Sequence, residues 1–299
     1  MNSEHSSGLT SAGAPVRGGE ALADHQYRLW ADWFERRTGV HIQEHRQLCV
    51  RRALVQRLGE VGLDGERYLA ALAASGDGEW RYLADQLLIQ ETRFFRHRES
   101  HALVRRVVAR HAVECAGKDL HLWSVGCASG EEAYSLAVDA LTGFAAAGSA
   151  PNFAVIGSDI SVAALGRARR GSYPLAALSV ADRAALGALL EPAGVGHFRF
   201  ADSVRERTAF VADNVLDQRA GFFTAGVDII FCQNLLIYFR RWRRQQVLNF
   251  LARRLRPGGY LIVGPGECVD WRPGHLEKVG APGVLAFRRP LDGEVGAGD

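Results

Sequence analysis

The chain has 299 residues, of which 47% are hydrophobic and 23% charged, and a net charge of +3. That is the balance of a globular protein long enough for two domains, and it excludes disordered, fibrous and collagen-like classes. No run approaches the roughly 18 apolar residues of a membrane span and the N-terminus lacks a basic-then-apolar leader, so a cytoplasmic protein without direct membrane insertion is expected.

Five cysteines, Cys49, Cys115, Cys127, Cys232 and Cys268, form no CxxC pair, so neither a metal site nor a disulfide framework is indicated. They are expected to be reduced and mostly buried. Of the 36 basic residues only Lys118 and Lys278 are lysines. High-GC coding explains an arginine bias blandly; the alternative is a surface that grips carboxylates or phosphates bidentately.

In chain order, residues 1–20 are rich in Ser, Gly and Ala without an apolar period and are expected to be a mobile tail. Helical spacing then runs from Tyr27 to Leu103, with Leu29, Trp30, Trp33, Phe34, Leu54 and Leu58 at three- and four-residue steps. Four or five short helices fit, separated by turns at 38–39, 62–65 and 75–78. The expected division is an N-terminal helical domain over 21–96, a linker helix over 97–117, an α/β domain over 118–290 and a second tail over 291–299.

Beyond Gly117, short apolar runs alternate with helical stretches, which predicts βαβ units on a parallel, Rossmann-like sheet. Strands are expected at 119–125, 153–158, 207–212, 227–232 and 258–264, with a closing strand near 283–288. Helices are expected at 131–143, 162–169 and 241–254. The interruption at 171–206 is too long for a bare loop and predicts a small insert, part helix near 180–190 and part β-hairpin around His197–Phe200.

The first strand runs into Gly126-x-x-x-Gly130 and a helix that opens with Glu131 and Glu132. Ligands of open α/β sheets sit beyond the carboxyl ends of the strands, where glycines let the backbone approach. Gly-x-Gly-x-x-Gly is absent, and two acids stand where a pyrophosphate would bind. S-adenosylmethionine brings an ammonium, a carboxylate and a sulfonium but no phosphate, and tolerates them. The bland alternative is a tight strand-to-helix turn. Asp159 at the tip of the second strand is placed to accept both ribose hydroxyls, or else to cap the next helix, a task Ser161 could also fill. Asn214 and Val215 follow the third strand, where an Asx side chain and a backbone amide can read an adenine edge.

With these motifs in place, the chain resembles the CheR family of chemotaxis-receptor glutamate methyltransferases over about residues 27 to 288. Three stretches carry the resemblance: Glu91-Thr92-Arg93-Phe94-Phe95-Arg96, Trp123 to Ser135 around the glycine loop, and Ile230-Phe231-Cys232-Gln233-Asn234-Leu235-Leu236-Ile237-Tyr238-Phe239. The resemblance implies that S-adenosylmethionine is held by Gln90, Thr92, Arg96, Gly126, Glu131, Asp159, Asn214, Val215, Gln233 and Asn234, with Arg96 and Tyr238 at the methyl-transfer end. The bland alternatives are an arginine capping a helix and a tyrosine packed in the core. Phe94 and Phe95 are expected to seal a domain junction. The resemblance further implies a glutamate-bearing cytoplasmic helical domain of a membrane chemoreceptor as partner, with no nucleic acid, and a monomer in solution. The basic helix with Arg46, Arg51, Arg52 and Arg57 would meet that partner, or form a merely solvated face.

Two departures stand out: Leu88-Ile89-Gln90 where the family has Thr-Thr-Asn, and Gln233 where it has Arg. They suggest a specialised branch such as the pilus-associated PilK-like subgroup. The competing readings are a nucleic-acid methyltransferase, against which stands the absence of an Asn/Asp-Pro-Pro-aromatic motif and of a Pro-Cys nucleophile, and a non-catalytic module that binds S-adenosylmethionine and signals.

Overall fold

The structure is a computed structural model describing residues 22–74, 77–218, 221–223, 226–269 and 271–291. Both expected tails lie outside the described residues apart from Leu291, as do Ser75 and Gly76 of the third turn. No helix of the described residues is long and apolar enough to cross a membrane. The described residues up to Leu87 form one compact unit and those from Leu88 a second.

The first unit holds helices α1 (Asp24–Thr38), α2 (Glu44–Val61), α3 (Gly65–Ala74) and α4 (Asp77–Leu87). Tyr27, Trp30 and Phe34 fall at three- and four-residue steps and are buried, whereas Leu29 faces solvent. Trp30 stacks on Phe34 with centroids 5.1 Å apart, over a core that includes Val50, Leu54, Leu58, Tyr68 and Leu72. Arg57 forks onto both oxygens of Glu79 at 2.8 and 2.6 Å, and the Tyr68 hydroxyl also donates to Glu79. The Arg57 guanidinium therefore holds the Glu79 carboxyl below its ordinary range.

The second unit starts with α5 (Arg98–Glu114), β1 (Leu120–Val125), α6 (Glu131–Ala146), β2 (Phe153–Asp159) and α7 (Val162–Arg170). An insert follows: β3 (Ser172–Pro174), α8 (Val180–Leu186), β4 (Leu190–Pro192) and β5 (His197–Phe200). The short helix α9 (Asp202–Arg205) leads back to β6 (Thr208–Ala212), β7 (Val227–Cys232), α10 (Arg241–Arg254) and β8 (Leu255–Val263). Strands β9 (Glu277–Lys278) and β10 (Leu285–Arg288) close the chain.

The seven-stranded sheet has the order β6-β2-β1-β7-β8-β10-β9, parallel from β6 to β8 and antiparallel beyond. This is an α/β, Rossmann-like domain behind an all-α unit. The chain winds outward from β1 through β2 to β6, then crosses back to β7 on the other side of β1, so the order reverses between β1 and β7. Open α/β sheets bind ligands at such a reversal.

The insert is a three-stranded antiparallel sheet, β3-β5-β4, and so exceeds a hairpin. Ser172 pairs with Arg199 and Leu190 with Phe200, which places β5 between two short edges. Strand β8 starts at Leu255, three residues before the expected 258, because α10 ends at Arg254 and the backbone is extended at once; a register shift between Val227 and Ile229 absorbs the Arg256–Gly259 stretch.

Residues 88–96 belong with the second unit. Phe94 is buried against the insert, with Tyr173, Phe200 and Phe198 at 5.0, 5.5 and 5.8 Å, and Phe95 donates its N–H to Ser135 Oγ at 3.1 Å. Removing a buried phenylalanine ring from such a cluster costs about 3–5 kcal/mol. Phe94→Ala is therefore expected to lower the unfolding free energy of the second unit, read from urea titration, by that amount, whereas Arg93→Ala, at an exposed neighbour, leaves it within about 0.5 kcal/mol.

Candidate active site

Level register brings the strand tips together. Val125 pairs with Ser158, and one residue on, Asp159 pairs with Ala212. The residues that follow, Gly126, Ile160 and Asp213–Asn214, thus leave the sheet at one height.

The glycine loop is fixed from β2. Gly126 and Cys127 donate their N–H groups to the Ser158 carbonyl at 2.8 and 3.0 Å. Ala128 donates to one oxygen of Asp159 at 2.9 Å, and the other oxygen accepts from the N–H of Ser161 at 2.8 Å. Ala128 has φ 47° and Gly126 φ 76°; a non-glycine residue in the left-handed region persists only where its surroundings hold it. A Cβ on Gly126 would come within 3.1 Å of Leu235 on the β7 loop, and one on Gly130 within 2.8 Å of Ala168 and 3.0 Å of the Tyr173 hydroxyl. The loop is therefore cramped on both sides. Ser161 caps α7 by accepting from Ala164 N–H at 3.0 Å, so the capping role considered for Asp159 belongs to Ser161.

Glu131 and Glu132 open α6 and are both partly buried. Burial pushes the Glu131 carboxyl up, against a 2.7 Å hydrogen bond from Ser129 Oγ and the field of Arg167. Burial also pushes Glu132 up to about 8; the Ser124 hydroxyl at 2.6 Å opposes this, Glu267 adds to it and Arg96 opposes it. The loop thus holds desolvated carboxyls, acceptors suited to an ammonium or sulfonium and hostile to phosphate.

Gln90 reaches this region from the segment ahead of α5. Its Nε2 donates to Ser161 Oγ at 2.9 Å and its Oε1 accepts from Arg167. Thr92 is partly buried. Arg96 donates to the Glu91 carbonyl at 3.2 Å and lies 3.8 Å from the Glu91 carboxylate. Asn214 caps the short turn Val215–Asp217 by accepting from Leu216 N–H at 3.1 Å, with Val215 buried behind it.

On the β7 side, Asn234 adopts φ 59°, its Oδ1 lies 2.8 Å from His97 Nε2, and Tyr238 is half-buried on the turn that follows. Gln233 is different. It is buried in the core, with Nε2 donating to Ser100 Oγ at 3.0 Å and to the Val263 carbonyl at 3.2 Å.

One residue that organises this loop was missed in the sequence. Glu267 is buried and accepts N–H groups from Asn234, Gly264 and Ile237 at 2.8, 2.9 and 3.2 Å. Burial pushes its carboxyl up while these backbone donors pull it down. The only hint was an acid inside the turn-forming Gly264-Pro265-Gly266 context. Two of the five thiols are buried, Cys127 and Cys232, and burial pushes both well above the ordinary thiol range; Cys115 and Cys268 are partly buried and Cys49 is exposed, so the thiols are less buried than expected.

In the first unit, Arg46 donates to the Leu87 carbonyl at 2.8 Å. Arg51 donates to Asp24 at 2.7 Å and lies over the Tyr27 ring, and Arg57 is held by Glu79 and Glu60. Arg52 faces solvent.

Residues 90–284 match the model described as "CheR methyltransferase, SAM binding domain". The chain belongs to the CheR methyltransferase family. S-adenosylmethionine is accordingly the cofactor of this domain. The "Probable biofilm formation methyltransferase WspC" of Pseudomonas putida is 33% identical over 77% of this chain and 54% of its own length. That of Pseudomonas aeruginosa is 30% identical over 89% and 63%. The chain thus spans little more than half of these two relatives. The "Chemotaxis protein methyltransferase" of Salmonella typhimurium is 32% identical over 89% of this chain and 92% of its own length.

The raised carboxyls have a sign-definite consequence. A glutamate that stays protonated in the folded state up to about pH 8, but ionises near 4.3 when unfolded, makes the unfolded state lose protons first, so stability falls as pH rises through that window. Without cofactor, the thermal midpoint is expected to fall between about pH 5 and 8, and Glu132→Gln to flatten that slope in part, Glu131 and Glu267 keeping the remainder.

Proposed function

We propose that the chain transfers the methyl group of S-adenosylmethionine to glutamate carboxylates of a chemoreceptor, forming methyl esters. The observation that carries this reading is the end of the sheet at the strand-order reversal, where burial raises the carboxyls of Glu131 and Glu132 beside a loop anchored on Asp159. The family membership fixes the cofactor, and a protein carboxylate is an acceptor that needs no general base.

When bound, S-adenosylmethionine supplies an electrophilic methyl on a sulfonium, which a carboxylate displaces in line. A glutamate with an ordinary pKa near 4.3 is already ionised at neutral pH, so no general base is needed. The protein's share is alignment, which can lower such a barrier by roughly 7–11 kcal/mol. In this reading Glu131 faces the ammonium, with Gln90 and Thr92 near the same end of the cofactor. The second lone pairs of Asp159 take the ribose hydroxyls while its first pairs hold Ala128 and Ser161. Asn214 and Val215 flank the adenine. Arg96, Asn234 and Tyr238 line the approach of the acceptor, Arg96 as its charged clamp. Gln233 supports this floor from behind.

Incubation of the full chain with methyl-labelled cofactor and a chemoreceptor cytoplasmic fragment is expected to yield base-labile label on the fragment. Arg96→Ala should cut transfer roughly 100-fold, the loss of a charged hydrogen bond worth about 2–3 kcal/mol, with cofactor affinity less affected. Asp159→Asn should weaken cofactor binding by about tenfold or more in calorimetry, one charged hydrogen bond being worth about 1.5–3 kcal/mol. Full activity in both variants would overturn the residue roles, and cofactor binding without transfer to any receptor fragment would overturn the reaction.

A further inference from the structure

The start of α10 breaks the charge rule for helices. Residues 240–244 read Arg-Arg-Trp-Arg-Arg, directly after the turn that carries Tyr238. The first turn of α10 contains no acid, and Arg240 at the N-cap makes no side-chain cap bond. A helix N-terminus is the positive end of the macrodipole, so guanidiniums clustered there oppose it and one another. Departures from local rules of this kind concentrate at functional sites.

Arg244 donates to the carbonyls of Phe239 and Ile237 at 2.7 and 3.2 Å. Arg243 lies over the Trp242 ring, 4.1 Å from its centroid, and donates to Gln246 at 3.2 Å. Arg240 and Arg241 are exposed. Trp242 is 51% exposed and Ile237 37%, which sets apolar surface beside the charge.

We infer that Arg240, Arg241, Trp242 and Arg243, with Ile237, form a docking surface for an acidic helical segment of the methyl-acceptor protein. The inference rests on the protein-carboxylate reading above and adds to it where the acceptor is gripped. Guanidiniums pair bidentately with carboxylates, and tryptophan and arginine are both enriched among the residues that anchor protein interfaces. The segment needs acids for the arginines and an apolar stripe for Trp242 and Ile237, which an amphipathic, glutamate-rich helix provides. A polynucleotide fits less well, because single strands need stacking platforms; one face of Trp242 is covered by Arg243, and the neighbouring Phe239 is buried.

The test uses the full chain and a fluorescent glutamate-rich helical peptide from a chemoreceptor cytoplasmic domain, read by anisotropy at low and high salt. Arg241→Glu with Arg243→Glu is expected to weaken binding at least tenfold and flatten its salt dependence. Trp242→Ala should weaken it about threefold or more, since buried interface aromatics contribute above their neighbours. Cofactor affinity should be unchanged in both. The charge reversal should raise rather than lower the thermal midpoint, because acids favour a helix start. In methylation assays the same reversal should raise KM for the receptor fragment and leave kcat alone. Unchanged peptide affinity in the reversal, or tighter binding of a labelled oligonucleotide than of the peptide, would overturn the surface. A wild type that binds the peptide through these residues yet transfers no methyl refutes the proposed reaction and leaves the docking surface standing; methylation with an unchanged KM in the reversal does the opposite.

Discussion

The carboxylate of Asp159 ties two turns of the second unit to each other. One oxygen holds the N–H of Ala128 and the other the N–H of Ser161. The first bond keeps a left-handed alanine inside the glycine loop, and the second sets the residue that caps α7. Because Ser161 also accepts from Gln90 Nε2, the segment ahead of α5 is referenced to the same acid. Position along the loop, start of the helix and placement of the Gln90 segment are therefore one coupled arrangement, whose zero point is the tip of β2.

A second buried acid does the same on the other side of the sheet reversal. Glu267 gathers the N–H groups of Asn234, Ile237 and Gly264, so the turn after β7 is held from β8 as the loop after β1 is held from β2. Between them lies Leu235 against Gly126. The reversal has two walls, one anchored by Asp159 at the end of β2 and the other by Glu267 in the turn that follows β8. Burial acts on Glu267, Glu131 and Glu132 alike, so this end of the sheet accumulates carboxyls that are costly to ionise until a cation is present.

Much of this was legible in the sequence where local chemistry decides. The starts of α6, α7 and α10 fall where the motifs placed them, and the parallel strands emerge from apolar runs ended by Gly126, Asp159 and Asn214. What was hidden depends on partners remote in sequence. The α2 arginines read as a basic face, yet Asp24 and Glu79 answer two of them from other helices. Gln233 read as an amide at the site, but Ser100 and Val263 draw it into the core. Phe94 read as a junction residue because nothing local reveals that three aromatics of the insert surround it. Glu267 offers no periodicity or motif at all.

The insert bears on the loop more directly than its place in the chain suggests. Tyr173, on its first strand, donates its hydroxyl to the Ser129 carbonyl at 2.7 Å and stands where any side chain on Gly130 would have to go. A segment that interrupts the βα alternation thus acts as a strut beneath the turn it seems to postpone. Shortening or replacing the insert would not trim an appendage. It would remove the stop that gives the loop its shape, and the stiffness of the loop is in this sense borrowed from residues more than forty positions further along the chain.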